Sequence, residues 1–226
     1  MAMNSLALHN QLLISLSAED RLHWAFENFQ PNKIAVSSSF GVFSSALLHL
    51  VSKVQPDAQI LFLDTGFHFR ETIKFTTQLK EQLNLTIRIV EPSVSKTELY
   101  ELLGDTPWET DHDKCCTINK VEPMNAILGE FDLWISGIRS SQTESRNNLD
   151  ILQKNKRGQM KFHPILDWSS KQIYDYITKN NLSLHPLFNE GYSSIGCTHC
   201  TFKTGKINDD RSGRWNGKKE ECGLHL

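Results

Sequence analysis

Ile34-Ala35-Val36-Ser37-Ser38-Ser39-Phe40-Gly41-Val42-Phe43-Ser44 joins a short apolar run to a hydroxyl-rich loop and then to the start of a helical pattern. Further compact apolar runs follow at Ile60-Leu61-Phe62-Leu63, Ile87-Arg88-Ile89-Val90 and Leu133-Trp134-Ile135, and longer segments of helical period, Val42 to Val51 and Glu71 to Leu83, lie between them. Strands that read as near-continuous apolar runs and alternate with helices predict a doubly wound α/β fold with a mostly parallel sheet covered on both faces.

Two helical patterns precede this region: Ser5 to Leu16, and a segment whose Ser17 and Asp20 fit an S-x-x-D cap. A further helix is expected over Ser169 to Asn180, with Ser169 as its cap. From Arg139 to Gln159 the chain is polar with little periodicity, which predicts a mobile flap over the site. Beyond Cys200 there are glycines and basic residues with hardly any apolar pattern, which predicts a tail outside the core. The expected organisation is one domain over 1–226: helices over 1–32, a nucleotide-binding core over 33–200 and a tail over 201–226.

With 226 residues, 39% hydrophobic and 22% charged, the chain is long enough to bury a core without cross-links. Twenty-four Lys and Arg residues against 26 Asp and Glu give a formal net charge of −2. An anionic ligand must therefore meet a local basic cluster, and nucleic-acid binding is disfavoured. No apolar run approaches the roughly 20 residues that span a bilayer, and MAMNSLALHN lacks the pattern of a signal peptide, so a cytoplasmic protein with no membrane partner is expected.

In sheets of this kind ligands sit beyond the carboxyl ends of the strands. The residues there are polar: Ser37-Ser38-Ser39-Phe40-Gly41, Asp64-Thr65-Gly66, Glu91-Pro92 and Ser136-Gly137-Ile138-Arg139. Backbone N–H groups of the first loop and the helix that follows suit an oxyanion, although the loop matches neither the P-loop nor the G-x-G-x-x-G pattern. A plain serine-rich cap is its ordinary alternative. Asp64-Thr65 stands where a nucleotide's sugar or base would lie.

Five cysteines, an odd number, are unevenly placed: Cys115 and Cys116 adjacent, Cys197 and Cys200 as C-x-x-C, Cys222 alone near the end. A disulfide framework explains this poorly. Adjacent side chains address one ligand only on a helical or turning backbone, and Asp111 to Lys114 followed by Thr117 to Leu128 permits a helix start there. The C-x-x-C follows Gly196 in a loop suited to wrapping a metal. Four such thiolates are compatible with zinc or with an iron–sulfur cluster. Two adjacent ligands crowd a single tetrahedral ion, whereas a cluster offers several iron atoms. Buried free cysteines at the first pair and a redox dithiol at the second are the alternatives. Cys222 lies far from any apolar face on a glycine-flanked segment able to swing into a site and out again. Arg211 and Arg214, just before Trp215, can carry guanidinium groups to an anion on the same segment.

Taken in order, SSSFGVFS (37–44), LDTGFHFRET (63–72), CCTINKVEP (115–123), WISGIRSSQ (134–142), IGCTHCT (195–201), RSGRW (211–215) and ECGLH (221–225) resemble the assimilatory adenylyl-sulfate (APS) reductases, the cluster-bearing branch of the phosphoadenylyl-sulfate (PAPS) reductase family. The resemblance implies an adenine nucleotide alpha hydrolase-like (PP-loop) fold, and a 4Fe–4S cluster on Cys115, Cys116, Cys197 and Cys200. It implies Cys222 as the nucleophile and thioredoxin or glutaredoxin as reductant, with a homo-oligomer among the possible assemblies. Ser37, Ser38, Ser39, Phe40, Gly41, Asp64 and Thr65 would hold the AMP part; Lys120, Arg139, Arg211, Arg214 and His225 would complete the substrate site. Asn119 and Ser140 stand where the branch commonly carries arginine, which bears on the choice between APS and PAPS. Reduction of PAPS, or of both substrates, is the nearest alternative activity. An ATP-dependent adenylating enzyme lacks its S-G-G-x-D-S loop here, and a zinc-stapled binding module is the alternative without catalysis.

Overall fold

The computed structural model describes residues 2–155, 158–204, 211, 213–217, 219 and 221–224. Its elements in chain order are α1 (Ala2–Ser15), α2 (Ala18–Asn28), β1 (Ile34–Ser37), α3 (Ser44–Val54), β2 (Gln59–Leu63), α4 (Arg70–Leu83), β3 (Thr86–Val90), α5 (Lys96–Leu103), α6 (Pro107–Thr110), α7 (His112–Cys116), α8 (Glu122–Leu128), β4 (Leu133–Ser136), β5 (Leu152–Lys154), β6 (Met160–Phe162) and α9 (Ser170–Lys179). The strands form one sheet in the order β3-β2-β1-β4-β6-β5, with every neighbouring pair parallel except β5 and β6. The expected doubly wound, mostly parallel sheet is present. Among the described residues, no helix is long and apolar enough to cross a membrane.

The central strands are apolar because both faces are covered. Ile34, Ala35 and Val36 of β1 and Leu133, Trp134 and Ile135 of β4 are all buried. The edge strand β3 is half exposed, and Arg88 on it forms a surface ion pair with Glu130. Ser17 caps α2 by accepting from the Asp20 N–H, and Ser169 caps α9 with Gln172 returning a bond to it, both at the expected positions.

The N-terminal helices are fixed by buried polar groups. Arg21 donates to the carbonyls of Leu13 and Pro164 and pairs bidentately with Asp167 at 2.7 and 2.8 Å. The Asn10 amide exchanges two hydrogen bonds with the Leu152 backbone, a ladder-like contact at the free edge of β5.

Two expectations are corrected. The region from Arg139 to Gln159 is no plain flap: it holds β5 and two short 3₁₀ turns, Ser140–Gln142 and Glu144–Arg146, and Arg146 is buried. Periodicity fails there because three-residue pieces are too short to show one. The tail is not outside the core either, since Arg214, Trp215 and Glu221 are all buried. Trp215 packs with Phe67, Leu99, Leu103 and the cysteines in a second apolar cluster, so few residues do the work that a sequence pattern would have displayed.

Candidate functional site

A cavity of about 260 Å³ opens at the carboxyl ends of β1, β2 and β4. It lies where the chain reverses its direction of travel across the sheet, the usual ligand position in open α/β folds. Ser37, Ser38, Ser39 and Gly41 line it from the first loop, Thr65 from the second, and Lys120, Arg139, Arg211, Arg214 and Cys222 from further along the chain. These ten sequence-predicted residues therefore converge.

Phe40 and Asp64 do not line the cavity. Phe40 adopts a left-handed backbone, φ 47°, that sends its ring fully into the core, edge-on to Phe62 at 5.2 Å. Its role is to turn the loop, whose Ser38 hydroxyl accepts from the Phe40 N–H. Asp64 closes the neighbouring turn by accepting from the Gly66 N–H at 2.8 Å. His225 lies outside the described residues.

Two segments bring four of the thiols together, and the tail adds Cys222. Asp111 caps α7, which carries Cys115 and Cys116 and runs through a π-helical turn, Thr117–Val121, into α8. That turn holds Lys120, the kind of local irregularity that re-aims side chains at functional sites. The Asn119 amide donates to the Cys115 carbonyl at 2.9 Å and reaches its Sγ at 3.6 Å. Cys197 pairs as an isolated bridge with His68, and its thiol lies 3.4 Å from Thr65 Oγ1. All five cysteines are free, and Cys115, Cys116, Cys197, Cys200 and Cys222 share one apolar cluster. Among the described residues, no three His, Cys, Asp or Glu side chains form a group for a single metal ion.

Burial pushes the Cys115 thiol up to about 11, with further upward pressure from Cys116 and Cys197. Burial also raises Cys200, to about 11, and Cys116. Cys197 moves the other way: burial opposes ionisation, but the Lys120 ammonium, the Thr65 hydroxyl and Arg214 together favour the thiolate. Burial similarly opposes the charge on Lys120, yet the thiols of Cys197, Cys116 and Cys222 raise it above the ordinary lysine range.

The tail is docked by specific contacts. Thr201, just after the C-x-x-C, pairs with Arg214 as an antiparallel bridge, and Arg214 also donates to the Thr201 hydroxyl. The Arg214 guanidinium lies over the Trp215 ring at 4.7 Å, and Arg211 lies near the same ring at 5.6 Å. The Arg214 guanidinium occupies the space a side chain on Gly196 would fill. Burial lowers Arg211 to about 10 against the pull of Glu221. Glu221 accepts from Arg146 at 2.6 and 2.8 Å and from Thr143 Oγ1 at 3.1 Å.

Arg146, Gln142 and Glu221 also line the cavity, and sequence reasoning missed all three as site residues. The signal for Glu221 was its place beside Cys222 in the ECGLH block. Arg146 sits in a polar run, TESRNN, that carries no local mark.

The phosphoadenosine phosphosulfate reductase domain model matches residues 33–203. The chain is 38% identical over 222 residues to a protein of Bacillus cereus strain 03BB102 named adenosine 5′-phosphosulfate reductase, covering 94% of each. It is 42% identical over 212 residues to one of the same name from Geobacillus sp. strain WCH70, covering 92% of this chain and 90% of that one. Among solved structures it resembles the phosphate complex of phosphoadenylyl-sulfate (PAPS) reductase from Candida auris, with TM-score 0.77 and 28% identity over 87% of this chain and 96% of that one. A likeness to Candida glabrata FMN adenylyltransferase, TM-score 0.61 at 15% identity over 85% of this chain and 71% of that one, concerns the fold alone. A cavity at the switch point of the sheet, cations around it and the thiols of Cys197 and Cys222 in its lining agree with the span of the match: the chain belongs to the phosphoadenosine phosphosulfate reductase domain family.

Proposed function

We propose that the chain reduces adenosine 5′-phosphosulfate to sulfite and AMP, with Cys222 as nucleophile. One observation carries the reading: Cys222 lines one cavity together with Ser37, Ser38 and Ser39 and with Lys120, Arg139, Arg146, Arg211 and Arg214. The Cys222 thiolate attacks the sulfur of APS, the bond from that sulfur to the bridging oxygen breaks, and AMP leaves with the electron pair. Cys222 then carries the sulfonate as S-sulfocysteine. A thiol of thioredoxin or glutaredoxin attacks Cys222 Sγ and sulfite leaves with its electron pair. The reductant's second thiol resolves the mixed disulfide and returns Cys222. The surrounding cations stabilise charge gathering on the phosphate and sulfonate oxygens as the bridge breaks.

Cys115, Cys116, Cys197 and Cys200 fit an iron–sulfur cluster as its holders. They lie near enough to shift one another's protonation, yet no three of them form a single-ion group among the described residues. The Trp215 indole N–H is buried beside them with no acceptor among the described residues, so an acceptor-rich group suits the place. A bound 4Fe–4S cluster supplies fixed charge next to the cavity. Both reducing equivalents come from thiols.

The test is incubation with sulfur-labelled APS and no added thiol. Label should attach to the protein, be absent from Cys222→Ser and be discharged by thioredoxin. Stable label on the Cys222→Ser protein would overturn the assignment. Turnover of PAPS beside APS decides the substrate, and a colourless protein with stoichiometric zinc after anaerobic purification would remove the cluster.

A further inference from the structure

Ser37 and Ser136 are register partners at the carboxyl ends of β1 and β4, and both line the cavity. Each hydroxyl is held from behind by an aromatic ring nitrogen. The Trp134 indole N–H donates to Ser37 Oγ at 2.7 Å. An indole nitrogen only donates, so the Ser37 oxygen is the acceptor and its hydrogen is left for something else. His163, directly after β6, places Nδ1 3.0 Å from Ser136 Oγ. It is 1% exposed and does not itself line the cavity.

The direction of the His163 bond follows from what surrounds the ring. Nε2 is buried with no hydrogen-bond partner among the described residues. The cations that press on the imidazole are Lys161 and Arg146, and the Ser136 carbonyl favours a proton on it. That carbonyl can only accept, and a buried N–H left without an acceptor on Nε2 costs more than an unpartnered lone pair there. The proton therefore sits on Nδ1, and Nε2 keeps its lone pair. Burial, reinforced by Lys161 and Arg146, pushes the imidazole down to about 3, so the ring carries a single proton at neutral pH.

We propose that His163 is a positioning residue for nucleotide binding: its Nδ1–H holds Ser136 Oγ as an acceptor and so turns the Ser136 hydroxyl hydrogen into the cavity, toward an acceptor atom of the bound adenine nucleotide. With Ser37 held in the same manner by Trp134, two adjacent strand ends present two hydroxyl donors side by side. The assignment rests on the adenine-nucleotide reading above.

The experiment measures calorimetric AMP affinity, and KM and kcat for APS, in the full-length protein. His163→Leu and Ser136→Ala should each weaken AMP binding about five- to tenfold, the effect of one hydrogen bond, and raise KM by a similar factor with kcat within about twofold. The double variant should bind no worse than either single one, because both remove the same bond. His163→Asn, whose amide N–H₂ stands near the Nδ1 position, should restore affinity. A purely structural role for His163 would lower the melting temperature and leave AMP affinity unchanged, and that result overturns the proposal, as does full additivity in the double variant. If His163→Leu does not fold, Ser136→Ala decides alone: unchanged AMP affinity in it overturns the proposal, since His163 acts only through that hydroxyl. Wild-type protein that neither binds AMP nor turns over APS removes the functional reading, and this proposal with it.

Discussion

Glu221 and Arg146 form a buried bidentate ion pair, at 2.6 and 2.8 Å, that ties the residue before Cys222 to the turn after β4. Thr143 Oγ1 and, at 3.6 Å, Arg211 add to it. The carboxylate is thus a latch, and two of its partners, Arg146 and Thr143, sit on a segment separate from the thiol it positions. Removing one member of a buried pair leaves an uncompensated charge, which costs about 3–5 kcal/mol when the charge stays buried. Arg146 and Thr143 hold Glu221 and the segment carrying Cys222 in place, so without Arg146 that segment should undock and take the carboxylate to water. Arg146→Ala is expected to slow sulfonate labelling of Cys222 by roughly 10- to 100-fold, about 1.4 to 2.8 kcal/mol of docking. Discharge of preformed intermediate by thioredoxin should be unaffected. Global unfolding in urea should move little; a variant that unfolds early while labelling at the normal rate would show that the pair is structural.

The central part of this arrangement is legible in the sequence because buried parallel strands announce themselves. Ile34–Val36 and Leu133–Ile135 read as apolar runs and pair in register. The cysteine spacing also announces a site, since adjacent thiols need a helical backbone and α7 provides it. Arg146 and β5 were not legible: a buried arginine looks like any surface arginine until its carboxylate is found 75 positions later. Phe40 was read as part of the binding loop, and its left-handed backbone, which no pattern of residue types displays, instead sends it into the core.

A side chain on Gly196 should push Arg214 aside, because the Arg214 guanidinium occupies the position of a Cβ there. Arg214 is bonded to Thr201 and lines the cavity, so its displacement would break that bond and move a cation within the site. Gly196→Ala is expected to displace Arg214, raise KM for APS at least about tenfold, the value of one charge-assisted hydrogen bond, and leave the sheet intact by circular dichroism. Normal KM would mean that Arg214 can be rearranged without loss.

His185 makes stability depend on pH in a definite direction. Its Nδ1 accepts from the Leu187 N–H at 3.2 Å, its Nε2 lies 3.0 Å from Thr72 Oγ1, and its ring packs against Phe75. Burial holds it down at about 4, against a pull upward from Glu71. The folded protein therefore resists a proton that the unfolded chain binds near pH 6.5. The contribution is complete above about pH 6.5 and is lost as pH falls toward 4, at up to about 1.4 kcal/mol per pH unit. His185→Asn, which keeps an acceptor for Leu187 and cannot titrate, should have a shallower decline in urea-derived stability between pH 7 and 5. Parallel declines for the two proteins would exclude His185 as the source.

Phe40 sets two effects against each other, and the comparison of two variants separates them. The ring is fully buried against Phe62, so its removal should destabilise by about 3–5 kcal/mol. Its φ of 47° disfavours any side chain by about 1–2 kcal/mol, a strain that Phe40→Ala retains and Phe40→Gly releases. In an ordinary strand or helix, alanine is the more stable replacement by about 0.5–1 kcal/mol. Here the order should reverse, with Phe40→Gly the more stable of two weakened proteins by about 1 kcal/mol in urea titration. If Phe40→Ala is the more stable, the loop relaxes out of the left-handed conformation once the ring is gone, and the buried ring is what holds Ser37, Ser38 and Ser39 around the cavity.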